Sequence, residues 1–314
     1  MALFAGKKRV VSPTGRKRRT MSAFLKETGY RFRSNSASNQ NPIKSLVGVL
    51  DYSDGALIER PNHMFSNCAS LEEIPLLDSK DWWTFNGAFE GCKSLKTIPA
   101  LDTSSAQGFN NAFYNCSSLT KIEKLDISQN KSFHYCFAGC GKLAYANFVG
   151  TAPIRELGGA FQDCYILPND CFPTLDVTNL TELWWAYANC RLLEELKWTG
   201  TPPTIKGAVN SAFLNCSKLK EIPEMDLSNA TLSDDYSFAY NCSSLTAIHA
   251  KNIPFSLNIG WSTLLEREAL VEIIGNLKDM TGSTTKTLTL GSTLKAKLTA
   301  DDIKVATDKN WTVA

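Results

Sequence analysis

Residues 88–102 read AFEGCKSLKTIPALD, and residues 212–226 read AFLNCSKLKEIPEMD. Ala, Phe, Cys, Leu, Ile, Pro and Asp fall at the same offsets in both. Between them the chain keeps a beat: Cys68, Cys92, Cys116, Cys140 and Cys164 are 24 residues apart, and Cys190, Cys216 and Cys242 follow at steps of 26. A fixed period of this length marks stacked coils, each of which buries its apolar face only against its neighbours.

Counting from each cysteine, position +3 is Leu in all eight cases: Leu71, Leu95, Leu119, Leu143, Leu167, Leu193, Leu219 and Leu245. Position −3 is aromatic in seven (Phe65, Phe89, Phe113, Phe137, Phe161, Tyr187, Phe213), and in the eighth Phe238 stands one residue early. Position −7 holds Phe85, Phe109, Phe133, Leu157, Leu183 and Val209. Position +6 holds Ile74, Ile98, Ile122, Leu196, Ile222 and Ile248, with breaks at Ala146 and Asp170. Stacking superposes like residues into ladders, so a continuous core forms between coils. With strands about 4.8 Å apart, eight coils predict a rod or arc on the order of 40 Å long. Asn67, Asn115, Asn189, Asn215 and Asn241 precede their cysteines, and their amides are expected to bond turn backbone from coil to coil.

The repeated Ala-Phe-x-x-Cys-x-x-Leu-x-x-Ile-Pro-x-Leu-Asp resembles the BspA-like leucine-rich repeat over about residues 60–255. The resemblance implies a leucine-rich-repeat solenoid of β-strands with irregular or short helical segments, in about eight repeats of 24–26 residues. It also implies adhesion or protein recognition, because such repeats serve as binding modules on many backgrounds. The expected organisation is a basic arm and joint (1–42), an N-terminal cap (43–60), the solenoid (61–255) and an α/β C-terminal cap (256–314).

In that last part Thr263–Glu266 reads as a capping box ahead of a helix over 264–278. A strand over 287–290, a second helix from Thr299 to near Lys309 and a last strand over 311–313 follow. Leu264–Lys278 together with the Lys286–Gly291, Ala296–Thr299 and Trp311–Ala314 stretches resembles the endings of phage-encoded leucine-rich-repeat proteins of the tail and fibre type.

Composition narrows the function. No run reaches 18 apolar residues, so no membrane insertion is expected. The opening MALFAGKKRV turns basic at once and lacks the apolar stretch of a secretory signal. Residues 1–33 hold ten basic side chains against the single acid Glu27, a balance of +9; the chain as a whole carries +2, which leaves −7 for the remainder. Lys7, Lys8, Arg9, Arg16, Lys17, Arg18, Arg19, Arg31 and Arg33 are therefore candidate anchors to an acidic partner, other virion proteins on the phage reading. A solvated tail, nucleic-acid contact and a nuclear-localisation-like run compete with that reading. Specific base recognition is poorly supported, because only Phe4, Phe24, Tyr30 and Phe32 interleave the charges.

Ten cysteines without an export signal predict reduced thiols in a core ladder. Cys136, Cys140 and His134 cluster in sequence, but Cys140 already belongs to the ladder, so no metal, cofactor or catalytic residue is expected. His63, His134 and His249 have no nucleophile nearby. Two tryptophan pairs, Trp82-Trp83 and Trp184-Trp185, lie between the Leu-Asp and Ala-Phe of a coil. One residue of each pair has no assigned core place, and the four form a candidate recognition surface for a host protein or glycan. These residues together predict a non-enzymatic virion component, with a cellular adhesin as the alternative. The expected location is the virion, assembled in the host cytoplasm.

Overall fold

The computed structural model describes residues 62–74, 77, 79–233 and 237–314, together with the backbone of 19–20 and 50–51. In the latter, β1 (Arg19–Thr20) pairs in parallel with β2 (Leu50–Asp51). Arg19 is thus the one candidate anchor whose backbone is described. Lys7, Lys8, Arg9, Arg16, Lys17, Arg18, Arg31 and Arg33 lie outside the described residues, as does most of the expected cap over 43–60.

From residue 62 onward the chain winds through short parallel strands. β3 (Thr97–Ile98), β4 (Lys121–Asp126) and β5 (Tyr145–Val149) form one sheet. β6 (Ala152–Pro153), β7 (Leu175–Asp176) and β8 (Trp198–Thr199) form the next. β9 (Glu221–Ile222) pairs with β10 (Ala247–Ile248). Every pairing is parallel and joins neighbours in sequence, as stacked coils require. Of the two failed Ile slots, Ala146 stays within β5 and the strand file breaks at Asp170. Asp170 sits in a 3-10 turn, Asn169–Cys171, entered from Pro168 and left through Phe172, and no strand forms there. That turn takes up the extra residues that lengthen the period after Cys164.

Core burial follows the files. All eight regularly spaced cysteines, the Leu file and the position −3 aromatics are buried. Consecutive −3 rings stack in parallel at centroid distances of 5.4, 5.6, 5.4, 5.3, 5.7 and 5.8 Å from Phe65 to Phe213. The file ends at Phe238. That residue stands one position early, so its ring meets Phe213 edge-on, at an interplanar angle of 82°. Tyr187 is the one −3 ring with a hydroxyl, and Trp198 Nε1 donates to it at 3.2 Å, which satisfies the buried oxygen.

The cysteines do more than fill space. Cys92 Sγ donates to Phe65 O at 3.0 Å, Cys116 to Phe89 O at 3.1 Å, and the series runs on through Cys140, Cys164, Cys190 and Cys216 to Cys242, which donates to Phe213 O at 2.9 Å. Each thiol thus ties its coil to the carbonyl of the −3 aromatic one coil back. Burial pushes the thiols of Cys116, Cys164, Cys190 and Cys216 well above their ordinary range and those of Cys140 and Cys242 to about 12. They stay protonated and keep donating, and all ten cysteines are free thiols.

The residues after 255 form an α/β unit. β11 (Leu257–Asn258), β12 (Lys286–Thr289) and β13 (Trp311–Val313) make a parallel sheet that continues the coil direction. Helix α1 (Arg267–Gly275) is shorter than the expected 264–278. Its N-cap is Glu266, with no side-chain cap bond, so the capping box read at Thr263 does not form. Leu265 is buried as part of the approach to the helix. A short helix α2 (Gly291–Lys295), not anticipated from the sequence, precedes α3 (Ala300–Asp308). Thr299 caps α3 in a true capping box: its side chain accepts from Asp302 N, and Asp302 Oδ2 accepts from Thr299 N at 2.8 Å.

Candidate functional site

The seven residues before each cysteine form a turn with a simple hydrogen-bond rule. Alternate residues donate their N–H to the next coil, as in Phe133 N to Glu156 O, Tyr135 N to Gly158 O, Phe137 N to Ala160 O and Gly139 N to Gln162 O. This geometry needs left-handed backbone at two places. Position −1 has positive φ in all eight coils: Asn67, Gly91, Asn115, Gly139, Asp163, Asn189, Asn215 and Asn241. Asn, Asp and Gly are the residues that tolerate that region at least cost, which accounts for the Asn before Cys. The expectation that these amides bond turn backbone is corrected in the later coils, where they bond one another. Asn189 Nδ2 donates to Asp163 Oδ1 (2.7 Å), Asn215 to Asn189 (2.7 Å) and Asn241 to Asn215 (2.9 Å). A side chain aligned with its copy one coil away reaches it more directly than it reaches backbone.

Position −5 is the second left-handed place. Gly87, Asn111, Gly159 and Ser211 occupy it in four coils, but His63 (φ 53°), Tyr135 (φ 51°) and Trp185 (φ 55°) occupy it in three others. Bulky side chains are strained there, by about 1 kcal/mol or more. Tyr135 lies at the centre of an aromatic surface. Its ring meets Tyr114 at 5.5 Å, His134 at 5.0 Å and Trp184 at 5.1 Å, and His134 meets Trp184 edge-on at 4.9 Å. All four rings are half-buried.

Gly158 and Gly159 form the floor beneath them. A Cβ on Gly159 would come within 2.4 Å of Tyr135 Cδ1, and one on Gly158 within 2.4 Å of Trp184. Two glycines in the coil between thus let rings from the coils on either side lie down on the turn. His134 Nε2 and Asn110 Oδ1, at position −6 of adjacent coils, are buried beside this surface without a hydrogen-bond partner. Burial, and then the neighbouring Tyr114, push the Tyr135 phenol above its ordinary range.

The tryptophan pairs divide unevenly. Trp82 leaves the candidate surface: only 5% exposed, it packs its ring on Phe85 at 5.2 Å as an extension of the −7 file. Trp83 points the other way and is 61% exposed. Its carbonyl accepts from Gln107 N, Gln107 O from Lys131 N, Lys131 O from Arg155 N and Arg155 O from Thr181 N. The residues of this backbone file after Trp83 are all exposed as well. Lys131 and Arg155 make no ion pair among the described residues. Trp184 and Trp185 are half-buried, Trp184 within the aromatic cluster just described. The sequence reading missed Tyr114, His134 and Tyr135, and it missed Trp261, which is 54% exposed and set edge-on against Tyr240. Tyr135 carried a legible signal: an aromatic in a slot that glycine fills one coil later.

No group of three or more His, Cys, Asp or Glu side chains able to hold a metal occurs among the described residues. No described helix is long and apolar enough to cross a membrane. The BspA type leucine rich repeat region matches residues 59–173 and 158–263, in six copies. The chain belongs to the BspA-type leucine-rich repeat family. Neither a curated protein nor a solved structure matches it. Modules of this family serve in protein interaction and adhesion. The match spans the turns, so the half-buried aromatic cluster lies within the family region.

Proposed function

We propose that this BspA-type leucine-rich repeat chain is a non-enzymatic recognition module that works by shape and a repeated surface. One observation carries the reading: a continuous half-buried aromatic surface, centred on Tyr135 and laid over Gly158-Gly159, kept at a cost in backbone strain. Aromatic groups held partly in water are the usual anchors of an interface. The eight cysteine-marked coils act as the rigid support, and the α/β unit after residue 255 caps the stack.

We further propose that the basic N-terminal residues fasten the module to an acidic neighbour in a bacteriophage particle assembled in the host cytoplasm. The +9 balance of residues 1–33 against −7 for the rest and the likeness of the C-terminal stretch to phage-encoded endings support this placement. A cellular adhesin is the second reading, favoured by the family itself. Quantitative proteomics of purified particles separates them: a fixed stoichiometry in the virion is expected, and absence from particles overturns the phage placement while leaving the recognition module intact.

A further inference from the structure

We infer that the aromatic surface of the third to sixth cysteine coils binds a neutral, polyhydroxylated glycan. The inference rests on the recognition-module reading and names its ligand class. The aromatic element comes first. Trp184, His134 and Tyr114 present half-buried rings, inclined to one another, each within 5.5 Å of the Tyr135 ring, and the Gly158-Gly159 floor holds the two central rings down on the turn. Half-buried rings of this kind offer apolar faces to the C–H side of a pyranose.

The polar rim comes second. On the fourth to sixth of these coils, positions −9 and −8 carry Lys131 and Ser132, Arg155 and Glu156, Thr181 and Glu182. Two cations, two carboxylates and two hydroxyls balance in charge and supply both donors and acceptors. Ser132 Oγ already donates to Glu156 Oε2 at 2.7 Å, which leaves that carboxylate's other oxygen open. A polyanion would meet Glu156 and Glu182, and a polycation would meet Lys131 and Arg155. A neutral sugar suits both, because each of its hydroxyls donates and accepts. His134 Nε2 and Asn110 Oδ1, on adjacent coils at the border of the rings, are buried without a hydrogen-bond partner and add polar atoms that a hydroxyl can satisfy.

Backbone strain comes third. Position −5 is served by glycine at Gly87 and Gly159, yet Tyr135 holds φ 51° there. A strained aromatic at the centre of a half-buried ring cluster points to use of the ring.

The same slot provides a clean test. Tyr135→Gly removes the ring and installs the residue that other coils already carry at this position, so the fold is expected to be kept. The full chain and this variant are titrated by calorimetry with linear β-glucan, mannan and galactan, with polygalacturonate and a single-stranded oligonucleotide as charged controls. At least one neutral polymer is expected to bind, with little change between low and high salt, and to lose about tenfold in affinity in the variant. Arg155→Ala, at an exposed position, is expected to weaken binding severalfold with an unchanged melting temperature. Binding of none of the neutral polymers, equal affinity in Tyr135→Gly, or salt-sensitive binding of a charged control in preference to all neutral ones overturns the inference. Incorporation into particles is measured separately, so a chain that assembles but takes no glycan overturns this inference alone.

Discussion

Each regular cysteine answers two demands at once: a small apolar residue between stacked coils, and a donor for a carbonyl one coil back. Alanine meets only the first. Cys140→Ala is expected to cost about 1–3 kcal/mol, from the small cavity and the lost partner of Phe113 O, measured by denaturant midpoint. The thiols also set an alkaline limit. Their pKa values are raised in the folded state, so their contribution is fully present below the ordinary thiol value near 8.5, and it is lost as pH climbs toward 12 while the unfolded chain sheds protons. Stability is therefore expected to fall steeply between about pH 8.5 and 12. A Cys116→Ala, Cys216→Ala double variant, less stable at neutral pH, should show a shallower fall; parallel profiles would remove the thiols as the cause. The core role of these residues was plain from spacing alone, since a file that recurs every coil must stack on itself. Their hydrogen bonds were not, because the acceptor is set by how one coil is displaced along the next.

Local elements show where short-range chemistry suffices and where it does not. The Thr299 box forms because Asp302 stands three residues on, where its carboxylate accepts from Thr299 N and from the Arg267 guanidinium together, and Thr299→Ala is expected to cost about 1 kcal/mol by thermal melting. The apparent box at Thr263 fails, and the helix begins three residues later than read, since Leu265 is drawn into the core. The glycine floor makes the opposite point. Gly159→Ala places a methyl 2.4 Å from Tyr135 Cδ1 at φ 64°, so a loss of about 1–3 kcal/mol is expected, together with a displaced Tyr135 ring. Tyr135→Gly followed by Gly159→Ala should cost less than Gly159→Ala alone, because the clash is gone and only the backbone strain remains. Additive losses in that double-mutant cycle would show that the ring does not lie on the glycine.

For the molecule as a whole, the parallel pairings and the ladders make every coil depend on its two neighbours. The chain without residues 1–42 is expected to remain folded, with a melting temperature within a few degrees of the full chain, and to be lost from particles. A truncated chain that still enters particles would show that the basic residues are not the anchor. Period, composition and the cysteine beat were enough to determine the stacked architecture and which residues face inward, because a residue's inward or outward direction repeats with the coil. The candidate site was only half legible. Trp82 and Trp83 are adjacent and equally apolar, yet one is buried and the other bare, and Tyr135 meets Trp184 although 49 residues separate them. Those outcomes depend on sideways neighbours in coils on either side, and only the path of the folded chain brings them together.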